Sequence, residues 1–502
     1  MRAPLALVLL CAAVPLHAQD RNVQHGVRPP KLAIRNAMVV DGSGSAAAGP
    51  YDIIVENGVI TDLVGLDPAA VAENRVKRVP ADAEIDATGK YVLPGLVNLH
   101  GHLQASRAGI PQPREYTLKL WLAAGITTVR ELATDTLDVI QRLRDRINRG
   151  EVPGPRLFLY PSITGRPVPR TAAEVRARVR ELKGKGVDGL KFFGMDRDLL
   201  DAAYDEARRQ GLRTAHHIGV EETNALDAIR GGVTSIEHWY GVPDAALHDG
   251  VQHFPAEYNY NDEVDRFRYA GRLWREADPG RLDTVLTAMV KAGVAWDPTL
   301  AIYEASRDLQ RAQTQPWFRD YLHPALEEFF KPNPANHGSF FLNWTSTDEA
   351  YWKDNYRRWM AAVREFERKG GVVGTGEDAG FIYELYGFGL LRELELHEEA
   401  GFPTLKVIQH ATVNGAKILG MEDRYGRVRV GYAADLIVVN GNPLANLRLL
   451  YPTGVQRVEG GKLVQAGGIA WTVANGIPYH VPQLLREVRE LVAEARARRA
   501  GN

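Results

Sequence analysis

Apolar residues recur through the middle of the chain as short runs at 92–100, 127–132, 157–163, 189–193, 214–217, 235–240, 294–300 and 372–376. Between most of them lie stretches of helical period, such as 174–183, 199–210 and 222–229. Eight strands with helical crossovers over about 280 residues predict an α/β fold of the (β/α)8 TIM-barrel type, which takes about 250. The chain ends carry a different pattern. Strand-like runs at 32–34, 38–40, 52–55 and 59–64 are broken by turn signals such as Asp41-Gly42 and Asn57-Gly58, and a matching set follows at 426–430, 435–439, 456–459 and 462–464. These predict one small β-sandwich built from residues 31–92 and 423–470, flanking a barrel over 93–422. Residues 482–500 read as an exposed, charged terminal helix. The segments 252–280 and 303–360 are rich in aromatics, among them Tyr258, Tyr260, Trp274, Trp317, Trp344 and Trp352. Inserts of this length either cap the barrel mouth or form a packing or dimer surface.

Composition narrows the class. Of 502 residues, 45% are hydrophobic and 25% charged, as in soluble globular proteins. Lys plus Arg number 61 and Asp plus Glu 62, a formal charge of −1. That balance gives no electrostatic reason to expect a nucleic-acid or membrane partner. Residues 1–18 read as an export signal, with Arg2 as the positive start, an apolar core from Leu5 to Leu16, and Ala18 suited to cleavage. A periplasmic or secreted location is expected, with no membrane attachment after cleavage. The single cysteine, Cys11, falls inside this signal, so the mature chain would offer neither a thiolate nucleophile nor a cysteine metal ligand.

The chemistry therefore has to come from other residues, and candidates cluster at strand ends. The first barrel strand ends in His100-Gly101-His102; side chains alternate along a strand, so both imidazoles should point into the mouth, roughly 6–7 Å apart. Lys191 stands in the apolar run Gly189-Leu190-Lys191-Phe192-Phe193, where a bare ammonium is costly to bury. His216 and His217 end the fifth run, His238 the sixth and Asp378 the eighth. With only 14 histidines in the chain, this clustering carries more weight than any one residue. Tyr240, two residues past His238, would share its face as an oxyanion donor or substrate contact. Arg130 ends the second run and could grip a substrate carboxylate, or pair with Glu131 or a neighbouring acid.

The entry Asp86-Ala87-Thr88-Gly89-Lys90 through Pro94-Gly95-Leu96-Val97-Asn98-Leu99-His100-Gly101-His102 resembles the signature of the amidohydrolase superfamily. So does the exit Gly426-Arg427-Val428 with Ala433-Ala434-Asp435-Leu436 and Gly441-Asn442-Pro443. The segment Val233-Thr234-Ser235-Ile236-Glu237-His238 is similar to the secreted imidazolonepropionase-like and Xaa-Pro dipeptidase-like branch. The resemblance implies two divalent metal ions, zinc first among them. His100 and His102 would bind the more buried ion, a carbamate formed from CO2 on Lys191 would bridge both, and His216 and His238 would bind the second. Asp378 would be ligand and general base to a metal-bound hydroxide. The chain departs from the branch at Glu377, where Thr or Ser is usual, and at His217, where Ala is common. Glu377 is expected to alternate away from the metal, and His217 to face the helices.

The resemblance implies a metal-dependent hydrolase of an amide-type C–N bond in a small molecule, such as an Xaa-Pro dipeptide or an N-acyl amino acid. Lactonase, esterase or phosphotriesterase chemistry would use the same site. A metal-free binding or assembly protein on this fold is the reading from another class, since fold alone does not fix function. Deaminases of the superfamily look mononuclear and lack the lysine that this chain carries at 191. A homo-oligomer is compatible with the sequence.

Overall fold

The computed structural model describes residues 20–133, 136–219, 223–250, 252–259 and 262–501. The export-signal expectation at 1–18, with Cys11, lies outside the described residues, as do Glu222 and Tyr260. Among the described residues no helix is long and apolar enough to cross a membrane.

The run at 92–100 is two strands, not one. Tyr91–Pro94 belongs to the β-domain, pairing with Lys31–Val39 and Leu436–Val439, whereas Leu96–Gly101 is the first barrel strand. Gly95 makes the change of sheet: a Cβ there would lie 2.1 Å from Thr127 Oγ1, so no larger residue fits. Parallel pairing joins Leu96–Gly101, Ile126–Leu132 and Arg156–Tyr160 in one sheet. A second sheet joins Gly189–Phe192, Arg213–His216, Ser235–Glu237 and Ala295–Asp297. One seam is sealed by the parallel bridge between Ser162 and Lys191. The other is sealed by the stretch 372–378: Trp296 bridges Val373, Leu99 N–H donates to Thr375 O at 2.9 Å, and Asp378 N–H donates to His100 O at 2.9 Å. The backbone hydrogen bonds thus run round eight positions. The eighth forms no regular strand because it is glycine-rich and closely crowded: a Cβ on Gly374 would lie 2.3 Å from Leu99 Cδ1.

Helices between the strands begin where the sequence supplies caps. Thr171 accepts from Glu174 N–H ahead of Ala172–Gly184, and Asn224 with Asp227 forms a capping box ahead of Ala225–Gly231, which ends at Gly232 with φ +83°.

Both chain ends meet in a mixed eight-stranded sheet, with the order Ile477–His480, Ile469–Ala474, Leu436–Val439, Tyr91–Pro94, Lys31–Val39, Ala48–Glu56, Val59–Gly65, and Ala83–Asp86 beside Lys31–Val39. This domain continues past the expected limit of 470. The predicted strand at 426–430 is a loop tied by Val428 N–H to Asp41 O, and the predicted pair near 456–464 is a separate hairpin, Val455–Glu459 with Lys462–Ala466. The terminal helix, Val481–Ala500, is only half exposed: Val481, Leu484, Leu485, Val488 and Val492 are buried, and the helix packs on Arg114–Ala123.

The aromatic inserts pack inward. Phe267 stacks on Trp352 at 5.3 Å and on Tyr303 at 5.7 Å, and Trp352 meets Trp239, just beyond the sixth strand, at 5.9 Å. They therefore build a wall over the C-terminal ends of the barrel strands.

Asp435 of the exit motif clamps the two domains. One carboxylate oxygen accepts from Arg156 of the third barrel strand at 2.5 Å and the other from Asn475 N–H at 2.6 Å; Asp435 is buried and Arg156 partly so. Replacing Asp435 by Ala leaves the partly buried guanidinium and the Asn475 N–H without their acceptor, so we expect a loss of about 1–3 kcal/mol in equilibrium unfolding by denaturant. A loss below about 1 kcal/mol would show that the clamp does not hold the domains.

Candidate metal centre and active site

Three imidazoles at strand ends are held in the same way. His102 Nδ1–H donates to Leu132 O at 3.0 Å; a carbonyl only accepts, so this fixes the tautomer and leaves Nε2 bare. His238 Nδ1 meets Thr299 Oγ1, whose hydroxyl already donates to Pro298 O at 2.7 Å, so His238 must donate and its Nε2 is bare as well. His100 Nδ1 donates to the Glu237 carboxylate at 3.0 Å. The three bare Nε2 atoms converge on Asp378, at 3.7 Å for His100, 2.9 Å for His102 and 3.8 Å for His238. Lys191 Nζ lies 3.5 Å from His100 Nε2.

Backbone geometry puts these groups on one side. Ser235 and Glu237 of the sixth strand face the barrel interior, where they bond Arg130; strict alternation would turn His238 outward. His238 has φ +61°, a left-handed conformation that swings its ring inward, and its N–H is held by Asp297 O at 2.8 Å. Asp378 also has a left-handed backbone, φ +48°, although alternation from an outward Glu377 already turns it inward. In the first strand the pairing register slips between Asn98 and Gly101, and both His100 and His102 reach the interior.

The groups sit at the base of a cavity of about 510 Å³. Its walls include Lys191, His217, Tyr240, Tyr303, His337 and Phe340. Burial, reinforced by Lys191, holds His100 well below the usual imidazole range, and burial together with His217 does the same to His238. Both rings are neutral donors at neutral pH. Burial brings the Lys191 amine down to about 8, so its neutral, CO2-reactive form is accessible. For Asp378, burial works against ionisation, but the surrounding polar groups, the Lys191 ammonium among them, outweigh it and hold the carboxyl below the ordinary range.

The donor set fits a divalent ion. His238 Nε2 is buried with no hydrogen-bond partner among the described residues, and His100, His238 and Asp378 offer ligand atoms within 4.8 Å of one another. A second buried group, His100 with Glu237 and Asp297, is equally compact. That space already holds a cation, since Arg130 donates to Glu237 at 2.8 Å and lies 3.4 Å from Asp297.

Two sequence-predicted assignments need correction. His216 does not face the cavity: Lys191 pairs with Ala215 and both face inward, so His216 turns out to the helix Arg197–Arg209, where its Nδ1 meets Tyr204 Oη at 2.7 Å. His217 takes the inward place, 4.4 Å from the ring of His238 and stacked on Tyr240 at 5.2 Å. The alternation counted from an inward Lys191 carries this signal. Arg130 does not reach the cavity either. It is fully buried beneath it, bonded to Leu99 O, Ser235, Glu237 and Asp297, so it pairs with neighbouring acids instead of gripping a substrate. Glu377 points away as expected, accepting from Trp121, from Gly387 N–H at 2.7 Å and from Leu390 N–H at 3.2 Å. Tyr240 lines the cavity and hydrogen-bonds Tyr303, a wall residue from the insert that nothing in the sequence singled out.

Comparison with known proteins identifies the family. Residues 91–324 and 335–459 match the amidohydrolase family. A 5-methylthioadenosine/S-adenosylhomocysteine deaminase from Desulforudis audaxviator (strain MP104C) is 24% identical over 442 residues, 81% of this chain and 84% of that protein. A dihydroorotase from Thermoanaerobacter sp. (strain X514) is 40% identical over 74 residues, which span only 15% of this chain and 14% of that protein. The crystal structure of a Xaa-Pro dipeptidase with bound methionine superposes with a TM-score of 0.61 at 21% identity, covering 90% of this chain and 100% of that one. The chain belongs to the amidohydrolase family, enzymes that hydrolyse carbon–nitrogen bonds.

Proposed function

We propose that the protein is an exported, metal-dependent hydrolase that cleaves the amide bond of a dipeptide such as Xaa-Pro or of an N-acyl amino acid. The observation that carries this reading is the convergence of three tautomer-fixed Nε2 atoms on Asp378 and Lys191 at the base of one cavity. His100, His102, His217, His238 and Asp378, together with a carbamate on Lys191, would hold two divalent ions; imidazole and carboxylate-type oxygens suit zinc. Such ions acidify water and polarise a scissile carbonyl. The likeness to a Xaa-Pro dipeptidase supports the peptide substrate, and the inward lysine supports hydrolysis over deamination. Export rests on Arg2, the apolar core from Leu5 to Leu16 and Ala18.

The chain's own groups have separable tasks. Asp378, ionised in the folded protein, accepts the proton of the attacking water and returns it to the departing amine. The Tyr240 hydroxyl, held by Tyr303, faces the cavity and donates to the carbonyl oxygen as negative charge grows there. Phe267, Phe340 and Phe381 line the outer wall and displace water from around the scissile bond.

Elemental mass spectrometry of the purified protein should return about two zinc ions per chain; none, even after incubation with zinc and bicarbonate, would overturn the reading. Asp378→Asn should lower kcat on the best dipeptide by about 10²- to 10⁴-fold. Full activity in that variant, or turnover of lactones and esters with none of amides, would reassign the reaction.

The two adjacent histidines give a sharper contrast. His217→Ala should strip metal and abolish turnover. His216→Ala should keep both while costing about 1–3 kcal/mol in stability, since it leaves the buried Tyr204 hydroxyl without its partner. The reverse pattern would make His216 the ligand.

A further inference from the structure

We propose that Glu237 is a positioning residue that orients His100 and strengthens its hold on a metal ion, and that Arg130 and Asp297 exist in the barrel to keep Glu237 in place. This rests on the reading of His100 as a metal ligand.

The three imidazoles that converge on Asp378 differ in what fixes their Nδ1 atoms. His102 is held by a backbone carbonyl and His238 by a hydroxyl, both uncharged. Only His100 is held by a carboxylate. A full negative charge behind an imidazole raises the electron density on its far nitrogen, so it makes a better ligand of Nε2 than a neutral acceptor does.

Glu237 has no freedom to do otherwise. Its Oε2 accepts from His100 at 3.0 Å and from Arg130 at 2.8 Å, and its Oε1 accepts from Ser235 Oγ at 2.6 Å and from Arg130 at 2.8 Å. All four hydrogen bonds come from groups that are themselves buried. Arg130 is anchored in turn by Leu99 O at 2.6 Å, on the strand that carries His100. Asp297 stands 3.4 Å from the same guanidinium. Gly376 leaves room for this arrangement: a Cβ there would come within 2.5 Å of Asp297 Oδ2 and 2.6 Å of His100 Cβ. The assembly links the first, second, sixth and seventh strands beneath the cavity and ends on one nitrogen of one ligand.

A purely structural ion pair would need Arg130 and a carboxylate, but would not need that carboxylate to accept from His100. The test is therefore metal affinity and not stability. In purified full-length protein, Glu237→Gln keeps the size of the side chain and removes its charge. Competition against a chromophoric zinc chelator should show the tighter zinc bound about 10- to 100-fold more weakly than in the parent, with Thr299→Val, which alters the neutral partner of His238, showing a smaller change. Should Glu237→Gln fail to fold, Glu237→Asp keeps the charge but draws it back from His100, and the same weakening is expected. Unchanged zinc affinity in the folded variant overturns the inference, whatever happens to its melting temperature. A parent protein that takes up no zinc at all would overturn the reading of the site instead, so the two failures are distinguishable.

Discussion

The guanidinium of Arg130 lies at the centre of the barrel with none of its surface exposed to water. A buried charge of this kind costs several kcal/mol unless its donors and its charge are both answered. Leu99 O, Ser235 Oγ, Glu237 and Asp297 supply the answer from three different strands. Two carboxylates against one guanidinium leave an excess of negative charge. The structure resolves it unequally: burial and then Glu237 push Asp297 well above the usual carboxylate range, while Arg130 and Lys191 outweigh burial and keep Glu237 ionised. The ionised partner is the one that touches His100. Strand order and the direction of the first inward imidazole thus follow from satisfying one buried cation.

Above that layer, backbone conformation decides which side chains enter the cavity. A regular strand presents every second residue to the interior, so adjacent Glu237 and His238 cannot both face inward without a change of geometry. The left-handed φ of His238 makes the change; Asp378 shares that conformation but follows an outward-facing Glu377. Non-glycine residues in this region cost of order 1 kcal/mol or more and persist only where surrounding contacts over-determine them. Here the contacts are specific: His238 N–H to Asp297 O, and Asp378 N–H to His100 O. The second of these is also part of the seam that closes the ring of strands, so barrel closure and the placement of Asp378 rest on the same hydrogen bond.

Much of this was legible in the sequence because it follows from residue type and coarse position. The alternating runs located seven barrel strands to within a few residues. The clustering of His100, His102, Lys191, His238 and Asp378 at strand ends identified the residues that the fold brings together. Side-chain direction was less accessible. Giving the cavity-facing place to His216 instead of His217 is a shift of one residue, and it reverses the face because strand periodicity is two. Arg130 could be read either as a substrate ligand or as half of an ion pair, since its partners, Glu237 and Asp297, lie 107 and 167 residues away in sequence. The β-domain extended to His480 because its last two strands pair with each other and with Leu436–Val439, a relation set by tertiary packing and not by local pattern.

The division of labour between barrel and inserts constrains how such a site can change. The groups proposed to bind metal and move protons stand on strand ends whose positions are fixed by ring closure and by the buried layer around Arg130. The outer wall, with Phe267, Tyr303, His337 and Phe340, stands on the segments after the sixth and seventh strands, outside the hydrogen-bonded ring. These aromatics pack chiefly on one another and on Trp239, so a change in their size alters the cavity without disturbing a strand. Tyr303 is the exception: it comes from the insert, yet hydrogen-bonds Tyr240 beside the cavity-facing histidines. It is the point at which the nature of the bound substrate can be felt by the group proposed to face the scissile carbonyl, because a wall that shifts Tyr303 also shifts the hydroxyl of Tyr240.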